Sequence, residues 1–163
     1  MQTKFLLLVM MLSLLSACAT QPGYVTPHNS AFAYSPSDDH VGNEIVFHAI
    51  QLVGIPYTFG GVRPETGFDC SGLVLYAHQK VGISDVPRNS RVQYSQAKPV
   101  RMSQLKPGDL IFFRLSFKRI SHVGIYIGDD RFVHAPRTGK TVSFASLHNP
   151  FWKKRIAGAG RYY

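Results

Sequence analysis

The stretch that decides the fold is residues 122–135, HVGIYIGDDRFVHA. Apolar residues recur on both sides of Gly128-Asp129-Asp130, a pattern typical of two strands joined by a tight turn. Residues His122–Ile127 and Arg131–Ala135 are therefore predicted to pair as a β-hairpin.

The hairpin register decides how its two histidines are placed. If the loop comprises three residues, Ile127 lies opposite Arg131 and Gly124 opposite His134. His122 then lies on the same face as His134, one diagonal step away, and the absent side chain of Gly124 leaves room between the imidazoles. A two-residue loop would instead place the histidines on opposite faces.

Outward from the hairpin, helical patterns come first and strand patterns later. Gly54 and Gly82 end the first two helical patterns, and Asn43 is the expected cap of the first. This order predicts an α+β fold in which N-terminal helices pack on an antiparallel sheet. The predicted helices are Glu44–Val53, one that begins near Cys70, and Ser90–Gln96; the further strands are Leu110–Phe113, Thr141–Ala145 and Gly160–Tyr163.

Length and composition limit the class of protein. A chain of 163 residues, 45% apolar and 17% charged, suits one folded domain and excludes general disorder. With one long apolar run, at the N-terminus, the sequence excludes a polytopic membrane protein. Two cysteines exclude a disulfide-rich fold and a zinc site made of four cysteines.

Charge is unevenly distributed along the chain. Residues 18–85 contain two basic and six acidic residues, whereas residues 86–163 contain fifteen basic and three acidic ones. This asymmetry indicates a basic surface facing a polyanion, although an evenly solvated surface remains the alternative. Because the chain is predicted to be exported, we expect no nucleic-acid partner and favour a carboxylate-bearing wall polymer or anionic lipid.

The N-terminus resembles a bacterial lipoprotein signal. Met1–Lys4 carries one positive charge, and the apolar run Phe5–Leu15 is too short to cross a bilayer as a helix. Leu15-Ser16-Ala17-Cys18 resembles a lipobox, so residues 1–17 are predicted to be removed and Cys18 to be lipidated. The alternative is an ordinary signal peptide cut near Ala17 or Ala19.

The predicted destination is the periplasmic face of the outer membrane. In a diderm host Ala19 favours it, because Ala19 is not the aspartate linked to inner-membrane retention. Residues 18–40 contain Pro22, Pro27 and Pro36 without helical or strand periodicity, and we interpret them as a flexible tether. Packing of this segment onto the domain is the alternative. The catalytic domain is then predicted to be residues 41–163.

Cys70 has no intramolecular partner if Cys18 is lipidated. An unpaired thiol in an exported protein risks oxidation, which favours a functional role over chance. In Phe68-Asp69-Cys70-Ser71-Gly72-Leu73 the sulfur lies where a loop becomes a helix, and free N–H groups with the helix dipole there favour a thiolate. The alternative is a small buried cysteine that begins a core helix.

A nucleophilic thiol needs a base, and the base needs a group that orients it. His122 and His134 are the candidates, because they flank one hairpin 12 residues apart. Either histidine alone would more often be structural than catalytic. The other five lie in the tether or lack a suggestive setting: His28, His40, His48, His78 and His148.

At this point five ordered blocks of sequence resemble the NlpC/P60 cysteine peptidases. The resemblance spans about residues 44–163 and is strongest among the small murein-endopeptidase lipoproteins of that family. The chain departs from the family pattern at Ala97-Lys98, where a glycine often follows the short helix. The blocks are residues 56–61 (PYTFGG), 68–74 (FDCSGLV), 105–113 (LKPGDLIFF), 121–128 (SHVGIYIG) and 132–135 (FVHA).

The resemblance implies a papain-like fold that cleaves amide bonds in peptidoglycan stem peptides, often next to diaminopimelate. Carried over, Cys70 is the nucleophile, His122 the base and acid, and His134 the orienting third member. The Tyr57 hydroxyl would help to shape the oxyanion site, with a packed aromatic as the alternative. Residues 61–67 and 86–100 are expected to shape the cleft, and Asp69 and Ser71 to support the thiol or contact substrate.

The D-Ala–diaminopimelate cross-link is the preferred bond, and γ-D-Glu–diaminopimelate its rival. The resemblance implies no metal and no cofactor, and we expect a monomer. The alternatives are a wall-binding or regulatory lipoprotein without turnover, and an acyl or amide transferase on the same fold.

Overall fold

The structure, a computed structural model, describes residues 37–115 and 119–163. The predicted signal peptide, the predicted lipidation site Cys18 and residues 19–36 of the predicted tether lie outside the described residues. Among the helices of the two described ranges, none has the length and apolar character that crossing a membrane requires.

The described residues form an α+β fold with the helices before most of the strands. The helices are α1 (Asp38–Ile50), α2 (Cys70–Lys80), α3 (Ser90–Gln96) and the single-turn α4 (Pro150–Lys153). The strands are β1 (Val62–Arg63), β2 (Gly67–Phe68), β3 (Lys98–Val100), β4 (Leu110–Phe113), β5 (His122–Gly128), β6 (Arg131–His134), β7 (Ser143–Ser146) and β8 (Ile156–Arg161).

Six strands form one antiparallel sheet in the order β3-β8-β4-β5-β6-β7. The C-terminal strand β8 therefore lies between β3 and β4 rather than at an edge. The strands β1 and β2 pair separately, beside the start of α2. This is the antiparallel sheet that the sequence pattern predicted, and it agrees with the papain-like fold that the resemblance implies.

Helix α1 begins earlier than the sequence predicted. Ser37, rather than Asn43, is the N-cap, and its hydroxyl accepts a hydrogen bond from the backbone N–H of His40. Asp38 and Asp39 fill the first turn, where negative side chains stabilise the positive end of the helix. The last three residues of the predicted tether are thus helical. The helix also ends at Ile50 and not at Val53.

The predicted strand Gly160–Tyr163 is wrong in its bounds. The strand spans Ile156–Arg161, and the last two tyrosines lie beyond it with their hydroxyls engaged. Tyr162 donates to the carbonyl of Gln93 at 2.9 Å, and Tyr163 to that of Pro107 at 2.6 Å. These side-chain hydrogen bonds hold the last two residues in an irregular conformation beyond the strand.

The sheet buries apolar side chains on both faces. One face carries the main core, in which α1 and α2 pack through fully buried Ile45, Leu73 and Val74. The opposite face carries a smaller cluster built on Ile111, Phe113 and Phe132 of the sheet, which α4 covers with Trp152. His122 and His134 belong to this second face, with ring contacts to Phe113 and Phe132.

Candidate active site

A cleft of about 460 Å³ opens beside the start of α2. Cys70 lies in its wall and is partly exposed. Residues 88–91 form part of the rim, as expected for the segment 86–100. Residues 62–65 instead line a separate groove, so much of the 61–67 loop faces away from this cleft. The walls also include Tyr57, Phe59, Gly60, Asp69, Ser71 and Ile120.

The Cys70 side chain projects from the first residue of α2. Backbone N–H groups of Ser71 and Val123 face the sulfur and favour its ionised form. Burial and the nearby Asp69 carboxylate act more strongly in the opposite direction and raise the pKa of the Cys70 thiol to about 11. The expectation of a resting thiolate is therefore wrong: at neutral pH the thiol keeps its proton until a base accepts it.

Asp69 is the N-cap of α2 and holds the loop before it. One carboxylate oxygen accepts from the Gly72 N–H at 2.7 Å, which caps the helix, and the other accepts from the Gly60 N–H at 3.0 Å. The Ser71 hydroxyl donates to the same carboxylate at 3.1 Å. Asp69 and Ser71 are buried, at 8% and 6% exposure, so they fix the backbone that carries the thiol.

Arg88 completes this network, and the sequence did not single it out. Its guanidinium donates to both Asp69 oxygens, at 2.9 and 2.6 Å, and to the Ser71 hydroxyl at 2.9 Å. Hydrogen bonds from Arg88 and Gly72 hold the pKa of the Asp69 carboxyl below its usual value, even though burial alone would raise it. No local motif links Arg88 to a residue 19 positions away, so only the fold reveals the pair.

His122 and His134 meet on one face of the hairpin. Nε2 of His122 lies 2.8 Å from Nδ1 of His134, with the rings nearly perpendicular at 86°. Burial lowers the pKa of both imidazoles, to about 3 for His122, where His134 adds to the effect, and to about 4 for His134. Both rings are therefore neutral near pH 7, and one of them can accept a proton.

The two histidines share a face by a different route from the predicted one. The turn has two residues at its tip, Asp129 and Asp130, both in the left-handed region at φ 49° and 53°. A bulge at Ile127 and Gly128, with Gly128 at φ 97°, adds the residue that restores the predicted register. Tyr126 thus lies opposite Phe132.

Gly124 does not leave a gap between the imidazoles. A side chain at this position would collide with the ring of Phe132, which packs directly against the glycine. The missing side chain therefore admits an aromatic ring that supports the histidine pair from the sheet.

Tyr57 lies in the cleft wall near Cys70 and Asp69. Partial burial raises the pKa of its phenol, and the two neighbouring groups add to the rise. Its hydroxyl therefore stays protonated and can donate a hydrogen bond into the cleft. In the described ranges, 37–115 and 119–163, no group of three or more His, Cys, Asp or Glu side chains is arranged to hold a metal ion.

Comparison with known proteins decides the family. Residues 54–161 match the model of the NlpC/P60 family. The chain belongs to the NlpC/P60 family.

Two relatives of this NlpC/P60 domain come from Escherichia coli (strain K12). The probable endopeptidase YafL is 43% identical over 131 residues, which cover 77% of this chain and 53% of the relative. The murein DD-endopeptidase MepH is 42% identical over 115 residues, which cover 69% of this chain and 42% of the relative. The chain thus spans about half the length of these curated relatives.

Solved NlpC/P60 structures share the fold. A protein of Staphylococcus aureus, described as similar to lipoprotein of this family, aligns with a TM-score of 0.69 and 36% identity, covering 78% of this chain and 43% of that one. The NlpC/P60 domain of the peptidoglycan hydrolase SagA aligns with a TM-score of 0.64 and 34% identity, covering 73% of this chain and 97% of that domain.

Proposed function

We propose that the protein is a cysteine endopeptidase that hydrolyses amide bonds in peptidoglycan stem peptides. One observation carries this proposal: a cleft-exposed thiol at a helix start lies beside a strand whose first residue, His122, is hydrogen-bonded to a second imidazole. Relatives named as murein DD-endopeptidase and DL-endopeptidase support the substrate class.

The reaction begins with proton transfer, because thiol and imidazole are both neutral at rest. Nε2 of His122 is engaged with His134, which leaves Nδ1 to accept the Cys70 proton. The sulfur attacks the amide carbonyl and forms a tetrahedral oxyanion. Backbone N–H groups at the start of α2, with the Tyr57 hydroxyl, stabilise the negative charge that develops on that oxygen.

The intermediate then collapses in two steps. His122 gives its proton to the departing amine, the carbon–nitrogen bond breaks, and the acyl group remains on Cys70 as a thioester. Water attacks that thioester while His122 takes one of its protons. Release of the acid returns the proton to the thiol. Nδ1 of His134 accepts a hydrogen bond from Nε2–H of His122, which sets the tautomer and keeps Nδ1 of His122 directed to the reaction.

The preferred scissile bond is the D-Ala–diaminopimelate cross-link, and the rival is γ-D-Glu–diaminopimelate. To test function and bond together, purified sacculi are incubated with full-length wild-type, Cys70→Ala and Cys18→Ser protein. The chain has two cysteines, so each variant keeps the other cysteine. We expect wild-type and Cys18→Ser protein to release the same fragments and Cys70→Ala to release none.

Mass spectrometry of the fragments identifies the bond and separates hydrolysis from transfer. Hydrolysis adds one water for each bond broken, whereas transfer would join the acyl group to a new amine. Equal digestion by wild-type and Cys70→Ala protein would exclude Cys70 as the nucleophile. Binding to sacculi without any fragment would favour the wall-binding alternative.

We also propose that Cys18 anchors the chain by lipid to the periplasmic face of the outer membrane. The lipobox-like Leu15-Ser16-Ala17-Cys18 and the identity of Ala19 support this, and several acyl chains together hold a protein durably on a bilayer. Fractionation of cells that express wild-type or Cys18→Ser protein tests it. The expected result is membrane association for wild type alone; an unmodified wild-type N-terminus would contradict the anchor.

A further inference from the structure

Trp152 lies on the sheet face opposite α1 and α2. It belongs to the single turn α4, which Asn149 caps by accepting from the Phe151 N–H at 2.9 Å and which Pro150 begins. The turn directs the indole onto the sheet, while the neighbouring Phe151 stays 48% exposed. A proline and a cap therefore fix one aromatic ring against the sheet with little backbone freedom.

The indole encloses the histidine pair. Its ring stacks on His122 at 5.4 Å and 25°, and meets His134 edge-on at 4.8 Å and 89°. Phe113 and Phe132 close the same space, with centroids 4.9 and 5.3 Å from the indole. His122 is 2% exposed and His134 4%, so the hydrogen bond between them lies in an apolar enclosure.

We propose that Trp152 is a positioning residue: its indole shields the His122–His134 hydrogen bond from water and holds the His122 ring so that Nδ1 remains available to Cys70. This inference rests on the proposed function. Trp152 lies outside the walls of the Cys70 cleft, so it acts through His122 rather than on the substrate.

Two physical effects make the indole matter. Water would compete for Nε2 of His122, and a hydrogen bond in an apolar enclosure is electrostatically stronger than one in water. A stacked ring also limits rotation of the imidazole, and a misplacement of about 1 Å can cost about a hundredfold in rate.

The charged surroundings of His122 are simple. The titratable group that contacts it is His134 on β6, and the Cys70 thiol meets the N–H of Val123, the next residue along β5. Within the described residues, β4 and α4 present the uncharged rings of Phe113 and Trp152 to it. Removing the indole admits water, which raises the pKa of His122 from about 3 toward its ordinary value.

The test compares full-length Trp152→Leu and Trp152→Phe with a matched control, Phe144→Leu. Phe144 is an exposed aromatic on β7 that stacks under Arg131, away from the histidines. We expect Trp152→Leu to lower kcat on a stem-peptide substrate about tenfold or more, with little change in KM. The acid limb of the kcat/KM profile should move to higher pH. Trp152→Phe should restore most of the wild-type kcat and of the wild-type pH profile. Phe144→Leu should match wild type in kcat and in pH profile.

A second measurement needs no variant to fold. In wild-type protein, NMR should detect the N–H proton between His122 and His134 in slow exchange with water. Rapid exchange of that proton in wild type, or wild-type kcat and pH profile in Trp152→Leu, would overturn the proposal. If the proton is protected but Cys70→Ala still digests sacculi, the proposed function fails while the shielding stands.

Discussion

The two sides of the candidate active site are built by opposite means. The thiol side is a polar network, in which Arg88, Asp69 and Ser71 hold the start of α2 at the wall of an open cleft. The imidazole side is an aromatic enclosure, in which Trp152 and its neighbours surround His122 and His134 on the far face of the sheet.

Burial, which the two sides have in common, sets the resting protonation of the site. Burial raises the pKa of the Cys70 thiol to about 11 and lowers those of His122 and His134 to about 3 and 4. Low exposure to water disfavours charge on either side. Both sides are therefore neutral at rest, and the proposed reaction begins with transfer of the Cys70 proton to His122.

The largest expected effect comes from removing the base on the imidazole side. His122→Ala should lower kcat by about a thousandfold, because general acid–base catalysis contributes roughly 10²–10⁴-fold. Muropeptide release from sacculi measures the loss. The control is His148→Ala, which replaces an exposed histidine paired with Asp130. Comparable activity in the two variants would remove His122 from the mechanism.

The second test separates the two sides by pH. His122 and His134 have lowered pKa values in the folded protein, so the unfolded chain binds more protons between about pH 6.5 and 4. Stability from these groups is present above pH 6.5 and falls on acidification by roughly 1.4 kcal/mol per pH unit for each histidine. Asp69, whose pKa is held below its ordinary value, loses its contribution only as the pH falls below that ordinary value.

Urea unfolding at a series of pH values measures this slope. A variant with both His122 and His134 replaced by Gln should lose most of the dependence between pH 6.5 and 4, leaving that of buried His78, whose pKa is also lowered, to about 4. His148→Gln, an exposed change, should keep the wild-type slope. A slope as steep as that of wild type after the double replacement would mean that the enclosure does not disfavour charge.

The third test breaks the polar network. Arg88→Ala leaves the buried Asp69 carboxylate without its ion pair, and we expect a loss of about 1–2 kcal/mol in unfolding free energy, limited because Arg88 is partly exposed. Arg88→Lys should restore little of the lost unfolding free energy, since a lysine cannot donate to both carboxylate oxygens in the same fork. The control Arg91→Ala replaces an exposed guanidinium of the same segment. Equal stability of Arg88→Ala and Arg91→Ala would show that the network contributes nothing.

Sequence patterns predicted the imidazole pair because alternation and register are local. The even spacing of His122 and His134 gave the right face even though the turn and bulge differ from the predicted loop. Trp152 escaped prediction, since nothing near residue 152 connects it to a strand 30 positions earlier. The short strand β3 and the single turn α4 escaped for a related reason: three or four residues carry no measurable period.

On the thiol side, the sequence predicted where Cys70 lies but not the protonation state of its thiol. The start of α2 at Cys70 follows from the Asp69 cap, which is a local signal. The pKa of the thiol depends on how much protein covers it, and Arg88 reaches Asp69 only through the fold. The helix start supplies groups that favour a thiolate, but burial acts more strongly and decides the direction of the pKa shift.

The smallest expected effect sharpens the comparison at the open rim of the cleft. Arg91 lines the cleft and makes no ion pair within residues 37–115 and 119–163, so it can attract the carboxylates of a stem peptide. Arg91→Gln should raise KM about threefold to fivefold and leave kcat unchanged, because one exposed ion pair contributes roughly up to 1 kcal/mol. Amidating the substrate carboxylates, or raising the salt concentration, should erase the difference in KM between wild type and Arg91→Gln.

Arg63→Gln, on β1 beside a separate groove, is the matched control. A fall in kcat rather than a rise in KM would mean that the rim, like the aromatic enclosure, positions the reacting groups, and the division between the two sides would not hold.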